Sequence, residues 1–138
     1  MTKSFQQSLA KLKNLSTVVT ADDIPDAEGT APVVVKFSDG TILKAHYWRL
    51  IQHGRSLLSS FDHQKKYGLT VPINAKEQLS GLLEAKICTS VQFDSETADL
   101  TLVFGETSKL HVFNFTGYEI WEIRFPDGTG QYSNYALG

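Results

Sequence analysis

The sequence lacks several features that define common classes of protein. Its 138 residues contain one cysteine, Cys88, which excludes an intramolecular disulfide and a cysteine-based zinc site and suits a reducing compartment. No apolar run approaches the length of about 18 residues that a membrane span needs, and the N-terminal segment lacks the apolar core of a secretory signal. We therefore expect a cytoplasmic chain that does not bind membranes.

A basic excess and catalytic motifs are also missing. Thirteen basic and fifteen acidic side chains give a formal net charge of -2, which counts against nucleic-acid binding. The glycines form no dinucleotide-binding or phosphate-binding loop, and no G-x-S-x-G nucleophile elbow occurs. The four histidines, His46, His53, His63 and His111, show none of the spacings of a zinc helix. The sequence predicts no enzyme activity, no cofactor and no metal.

The sequence contains enough hydrophobic residues to form the core of one folded domain. Hydrophobic residues make up 41% and charged residues 20% of the chain, a balance that excludes intrinsic disorder. A chain of this length corresponds to a single domain. We expect one domain over 1–138, with an N-terminal helix at 4–15, an acidic loop at 16–31 and a body of sheet and helix at 32–137.

The acidic loop is a candidate partner-binding site because of its cluster of negative charges. Its acidic residues are Asp22, Asp23, Asp26 and Glu28, and no basic residue lies among them. Clustered charge of one sign raises the rate of encounter with a partner of the opposite sign. The loop is therefore a candidate contact for a basic protein; the alternative is a solvated connection.

Patterns in the body predict strands and a second helix. Asp39-Gly40 between two β-rich runs predicts a two-residue type I′ hairpin. That hairpin places Val35, Phe37 and Ile42 on one face and Val34, Leu43, Ala45 and Tyr47 on the other. Asn74 is placed to cap a helix with a stripe of leucines.

The C-terminal third alternates apolar and polar residues and predicts a meander of short antiparallel strands. Trp121 alternates with Ile123 and Phe125, which predicts that its ring is buried. Together these patterns predict an α+β fold: a single antiparallel sheet of six to eight strands, arranged as a meander, with two helices packed on it.

Two constellations allow a functional and a structural interpretation. Ser59, Ser60, Asp62 and His63 suggest a catalytic triad, but adjacent residues rarely reach triad geometry, so we expect Asp62 to fix a loop by accepting backbone N–H bonds. The aromatic residues around His111, Phe113, Phe115, Trp121 and Phe125 suggest a base-stacking platform. The basic groove that accompanies such platforms is missing, so we expect core packing there, with a protein-contact surface as the alternative.

One further likeness concerns the order of motifs. Its parts are Tyr47-Trp48-Arg49-Leu50, Ser59-Ser60-Phe61-Asp62-His63, Tyr67-Gly68, the strand Ala98-Asp99-Leu100-Thr101-Leu102-Val103-Phe104 and the strand Gly117-Tyr118-Glu119-Ile120-Trp121-Glu122-Ile123. This order, over roughly half the chain, is similar to small bacterial proteins of uncharacterised families. Many of those are encoded like, or suspected to be, immunity proteins of polymorphic and contact-dependent toxin systems. The resemblance implies a non-catalytic inhibitor that binds a cognate toxin, and it implies no site residues.

The expected function is therefore that of a cytoplasmic binding protein, in the form of an immunity-type inhibitor whose partner is a basic toxin domain. The first alternative is a small enzyme or ligand-binding domain with a cleft near Asp62, His63 and Trp121. The second alternative is a homodimeric structural protein that uses an apolar sheet face for self-association.

Overall fold

Two α-helices and eleven β-strands make up the part of the chain that the computed structural model describes, residues 3–22, 31–114, 121–133 and 135–137. The helices are α1 (Lys3–Ala10) and α2 (Ala75–Leu82), and a 3-10 turn spans Ser60–Asp62. The strands are β1 (Leu15–Ala21), β2 (Val33–Phe37), β3 (Ile42–Ala45), β4 (Trp48–Gln52), β5 (Arg55–Ser59), β6 (Ile87–Phe93), β7 (Leu100–Phe104), β8 (Ser108–Val112), β9 (Trp121–Arg124), β10 (Gly130–Tyr132) and β11 (Tyr135–Leu137).

All the strands belong to one antiparallel sheet in the order β11-β10-β9-β3-β2-β1-β6-β7-β8-β4-β5. The predicted α+β class and single antiparallel sheet are confirmed. The predicted six to eight strands are too few. The strand β1 lies in a range that was expected to be loop, and turns separate β3 from β4 and β10 from β11, where longer single strands were expected. The predicted meander holds for β6, β7 and β8, but β9 pairs with β3 rather than with β8.

The strand β1 corrects the end of the predicted helix at 4–15 and the start of the predicted loop at 16–31, and residues 23–30 of that loop lie outside the described residues. The helix α1 ends at Ala10, and Asn14 then adopts a positive φ of 65° while its N–H donates to Cys88 O at 2.7 Å. Asn tolerates this left-handed conformation, which stops a helix. The β-branched residues that follow favour a strand. Leu15 and Ser16 pair with β6 and the rest of β1 pairs with β2, so β1 joins the two halves of the sheet.

The hairpin between β2 and β3 is real, but its register differs from the prediction. Phe37 N–H donates to Thr41 O at 2.8 Å, which leaves a three-residue loop, and only Gly40 in that loop has a positive φ, 99°. One extra loop residue moves side chains to the opposite face. Val35 therefore lies opposite Leu43 on the buried face, whereas Ile42 turns outward.

The sheet curls so that its two halves enclose one core. In a flat sheet with strands about 4.8 Å apart, β6 and β9 would lie roughly 19 Å apart. The rings of Phe93 on β6 and Trp121 on β9 instead meet edge to face with centroids 6.1 Å apart. Phe5 of α1 lies 5.5 Å from Phe93 and 6.5 Å from Trp121. Strand twist accumulates across a wide sheet and produces this curl.

Both tryptophans hydrogen-bond across the fold. Trp48 Nε1 on β4 donates to Ala31 O ahead of β2, and Trp121 Nε1 on β9 donates to Ala98 O ahead of β7, each at 2.8 Å. Trp121 is 1% exposed, which confirms its predicted burial. A buried indole N–H needs an acceptor, and these two bonds hold the segments ahead of β2 and β7 against the core.

The helix α2 begins as the sequence predicts. Asn74 Oδ1 accepts the Glu77 N–H at 3.1 Å, and Ala75, Leu79 and Leu83 are buried. The cap satisfies one N–H of the first helical turn, which has no partner inside the helix. No helix in the described ranges has the length and apolar character needed to cross a membrane.

Replacing Trp121 by alanine is expected to lower the free energy of unfolding by about 3–5 kcal/mol, the range for large-to-small changes in a core. Trp121→Phe keeps most of the packing but leaves the Ala98 carbonyl without its donor, at a cost of about 1–3 kcal/mol. Val18, 61% exposed on β1, is the control, and Val18→Ala should cost no more than about 1 kcal/mol. Urea denaturation measures all three, and an unchanged midpoint for Trp121→Ala would contradict the buried position.

Candidate functional site

The side of β4 and β8 that faces away from the core carries aromatic and basic side chains. Because Trp48 is buried, its neighbours Tyr47 and Arg49 point outward. Arg49 lies opposite His111 on β8, and Phe113 N–H donates to Tyr47 O at 2.9 Å. We call Tyr47, Arg49, Phe61, His111 and Phe113 the outer surface. His111 and Phe113 are half-buried there, so the predicted core packing is wrong for these two residues, and Phe115 lies outside the described residues.

Arg49 lies at the centre of the outer surface. Its Nη2 donates to His111 Nδ1 at 3.5 Å, and its Cζ lies 5.0 Å from the centre of the Phe113 ring. Its Nε is buried and has no hydrogen-bond partner within the described ranges. No described carboxylate forms an ion pair with it either. Arg49 is therefore a half-buried cation whose contacts in this part of the chain are neutral groups.

The ring of His111 is poorly suited to carrying a charge. Burial lowers its pKa, and the neighbouring cations Arg49 and Lys109 lower it further, while Asp99 opposes them with a smaller effect. A neutral ring can turn the lone pair of Nδ1 to the guanidinium of Arg49, which has only donors. Arg49 and His111 thus form a pair with one positive charge.

The outer surface continues into an exposed apolar segment. The rings of Tyr47 and Phe61 lie 5.7 Å apart, and Phe61 is 44% exposed. Beyond it, Tyr67, Leu69 and Val71 are all more than half exposed. We call residues 61–73 the apolar loop. Single exposed apolar side chains are ordinary, but several in one short segment are characteristic of interaction surfaces.

Hydrogen bonds hold the apolar loop in one conformation. Gln64 N–H donates to Ile73 O, and Ile73 N–H donates to Lys65 O, each at 2.8 Å. Tyr67 Oη donates to Asp62 Oδ1 at 2.9 Å, and this bond to a carboxylate raises the pKa of Tyr67. The loop therefore presents its apolar side chains without needing to be ordered by a partner.

Asp62 and His63 both bond to backbone groups around this loop. Asp62 Oδ2 accepts the Ser59 N–H at 2.8 Å, as expected for a residue that fixes a loop, and His63 Nδ1 accepts the Ala75 N–H at 3.1 Å. Trp121 belongs to β9 in the other half of the strand order and is buried. The structure therefore does not bring Trp121 to a surface cleft beside Asp62 and His63.

A cleft of about 460 Å³ lies at the other end of the outer surface. It is lined by Ile51, His53, Gly54, Glu106, Thr107, Lys109 and His111. Within the described ranges, no three His, Cys, Asp or Glu side chains are grouped to hold a metal ion. The cleft combines cationic and neutral donors with one carboxylate, a lining that suits an anionic group better than a cation.

The acidic residues predicted to bind a partner can be placed only in part. Asp22 follows β1, is half-buried, and donates its N–H to Pro32 O at 3.0 Å. Asp23, Asp26 and Glu28 lie outside the described residues. The acidic contact therefore stays a prediction.

Sequence reasoning missed Arg49 and the apolar loop. The signal for Arg49 was present, because Tyr47-Trp48-Arg49 alternates and an inward Trp48 turns Arg49 outward. The exposure of Leu69 and Val71 carries no signal in the sequence, since apolar residues near a helix start normally predict core. Comparison of the chain with protein-family models, curated proteins and solved structures gives no match.

Asp62→Ala is expected to lower the free energy of unfolding by about 1–2 kcal/mol, because the Ser59 N–H loses its acceptor in the capping box of the 3-10 turn. Tyr67 Oη loses its acceptor in the same variant. The pKa of Tyr67 should fall toward its ordinary value in this variant. Since the folded-state pKa is the higher one, the Tyr67 bond stabilises the fold at neutral pH, and that contribution is lost as the pH rises through the folded-state pKa.

Ultraviolet absorbance titration and urea denaturation measure the two effects of Asp62→Ala. Tyr67→Phe is the control, because it removes the tyrosine hydroxyl and keeps the bond from Ser59 to Asp62. An Asp62→Ala variant with unchanged stability and unchanged tyrosine titration would show that Asp62 does not hold the loop.

Proposed function

We propose that the chain is a non-catalytic binding protein that uses the apolar loop and the outer surface to bind a protein partner. The observation that carries this proposal is the exposure of Phe61, Tyr67, Leu69 and Val71 on a loop whose backbone is hydrogen-bonded. Apolar side chains on a pre-organised loop bind without a large entropic cost of ordering. Tyr47 packs against Phe61 of this loop, and Arg49 lies on the same outer surface. Tyrosine and arginine are among the side chains enriched in binding hot spots.

The specific form that we propose is an immunity-type inhibitor that neutralises a cognate bacterial toxin in the cytoplasm. Two observations support it: the resemblance of the motif order, and the engagement of Asp62 and His63 with backbone groups, which suits a structural role. Asp22, Asp23, Asp26 and Glu28 are proposed as a second contact, directed at a basic region of the toxin. The alternative of a homodimer predicts that the apolar loop contacts a second copy of the chain.

Removing the apolar character of the loop should strongly weaken partner binding. Leu69→Ser combined with Val71→Ser is expected to reduce the amount of partner retained by the tagged protein, purified from its native cells, by about tenfold or more. Val18→Ser is the matched control, since Val18 is 61% exposed and Val71 is 68% exposed. Mass spectrometry of the retained protein identifies the partner.

The outcomes separate the alternatives. An immunity-type function requires that the partner arrest growth when expressed alone and that co-expression of this chain restore growth. Retention of only a second copy, with a dimer mass in sedimentation that Leu69→Ser and Val71→Ser reduce to a monomer, would support the homodimer instead. Equal retention of a partner by all the variants would contradict the apolar loop as the binding surface.

A further inference from the structure

The guanidinium of Arg49 has no counter-ion within the described residues, although it is half-buried. Its contacts are the neutral acceptor His111 Nδ1 and the face of Phe113, and its Nε makes no hydrogen bond in this part of the chain. Withdrawing a charge from water has a cost, which a paired anion offsets. A half-buried arginine without an ion-pair partner is suited to bind an anion from another molecule.

The charges around this position favour an anion. Lys109, on the same strand as His111, adds a second cation. The carboxylate of Asp99 already accepts the Asn114 N–H at 2.7 Å, and Glu106 and His53 lie in the adjoining cleft. The described contacts of Arg49 itself are thus a neutral ring and an aromatic face, and Lys109 is a second cation near His111.

We propose that Arg49 and His111 form a carboxylate-binding site, which receives an aspartate or glutamate side chain of the protein partner. The guanidinium offers paired N–H donors in the fork geometry that matches a carboxylate. Nε and Nη2 form one edge of this fork, and engaging a carboxylate with that edge requires the Arg49 side chain to rotate, because Nε is buried and Nη2 contacts His111 Nδ1. The inference rests on the proposed function, because the carboxylate comes from the protein partner. It follows that the partner carries an aspartate or glutamate residue flanked by apolar residues.

Binding of an anion at Arg49 should change the pKa of His111. The anion offsets the field of Arg49 and Lys109, so its presence should raise the pKa of His111 toward the ordinary value. Asp99 and Glu106 are the described carboxylates nearby, and they are present with and without the ligand. A change in the His111 titration therefore reports the added anion.

Acetate is the probe, with chloride at equal ionic strength as the reference. In nuclear magnetic resonance spectra of the isolated chain, acetate should shift the His111 ring signals saturably and raise their apparent pKa. Arg49→Gln should weaken acetate binding by about tenfold or more, and Arg49→Lys should weaken it less, because it keeps the charge and loses the fork. Arg124→Gln is the matched control: Arg124 is exposed and paired with Glu122, and its loss should leave acetate binding unchanged.

Three results would overturn the inference. The first is an equal effect of acetate and chloride on the His111 signals, and the second is unchanged acetate binding by a folded Arg49→Gln or Arg49→Lys variant. The third is inorganic phosphate binding about tenfold or more tighter than acetate, which would assign the site to a phosphate-bearing ligand. The titration needs no partner. A negative acetate titration therefore does not affect the test of the apolar loop by the Leu69→Ser and Val71→Ser variant. A failure to capture a partner likewise does not affect the acetate titration.

Discussion

The fold depends on two hydrogen bonds between indole N–H groups and backbone carbonyls. Trp48 reaches Ala31 and Trp121 reaches Ala98, and each bond joins elements that are far apart in the strand order. The bonds satisfy the polar atom of each large buried ring while the rest of the ring packs in the core. The strand β1, which pairs with β2 and with β6, supplies the covalent and hydrogen-bonded link between the same two halves.

The same constraint creates the candidate binding surface. Once Trp48 points into the core, strand alternation turns Tyr47 and Arg49 to the other side, where the pairing of β4 with β8 sets Arg49 against His111. The 3-10 turn after β5 brings Phe61 against Tyr47. An inward tryptophan and an outward cation among aromatic rings are therefore two consequences of one register, and the proposed carboxylate-binding site depends on the second.

Much of this architecture follows from local patterns in the sequence. The cap at Asn74, the burial of Trp121 and the meander of β6 to β8 depend on neighbouring residues, and local reasoning predicted them. The face assignment at Ile42 failed because one loop residue changes the register. β1 was missed because the acidic residues that follow it dominated the interpretation. The outward direction of Arg49 follows from its alternation with Trp48, but its contact with His111 depends on the pairing of β4 with β8, two strands distant in sequence. The exposure of the apolar loop carries no signal in the sequence.

We expect the two halves of the sheet to unfold as one cooperative unit, because the hydrogen bonds of both tryptophans join them. Both tryptophans of the chain lie in this core, so their fluorescence reports the closure, while far-ultraviolet circular dichroism reports the strands. Urea denaturation followed by both signals should give one transition with the same midpoint, as expected for two-state unfolding. Two midpoints, with the tryptophan fluorescence signal lost while strand content remains, would show that the tryptophans do not hold the two halves in one cooperative unit.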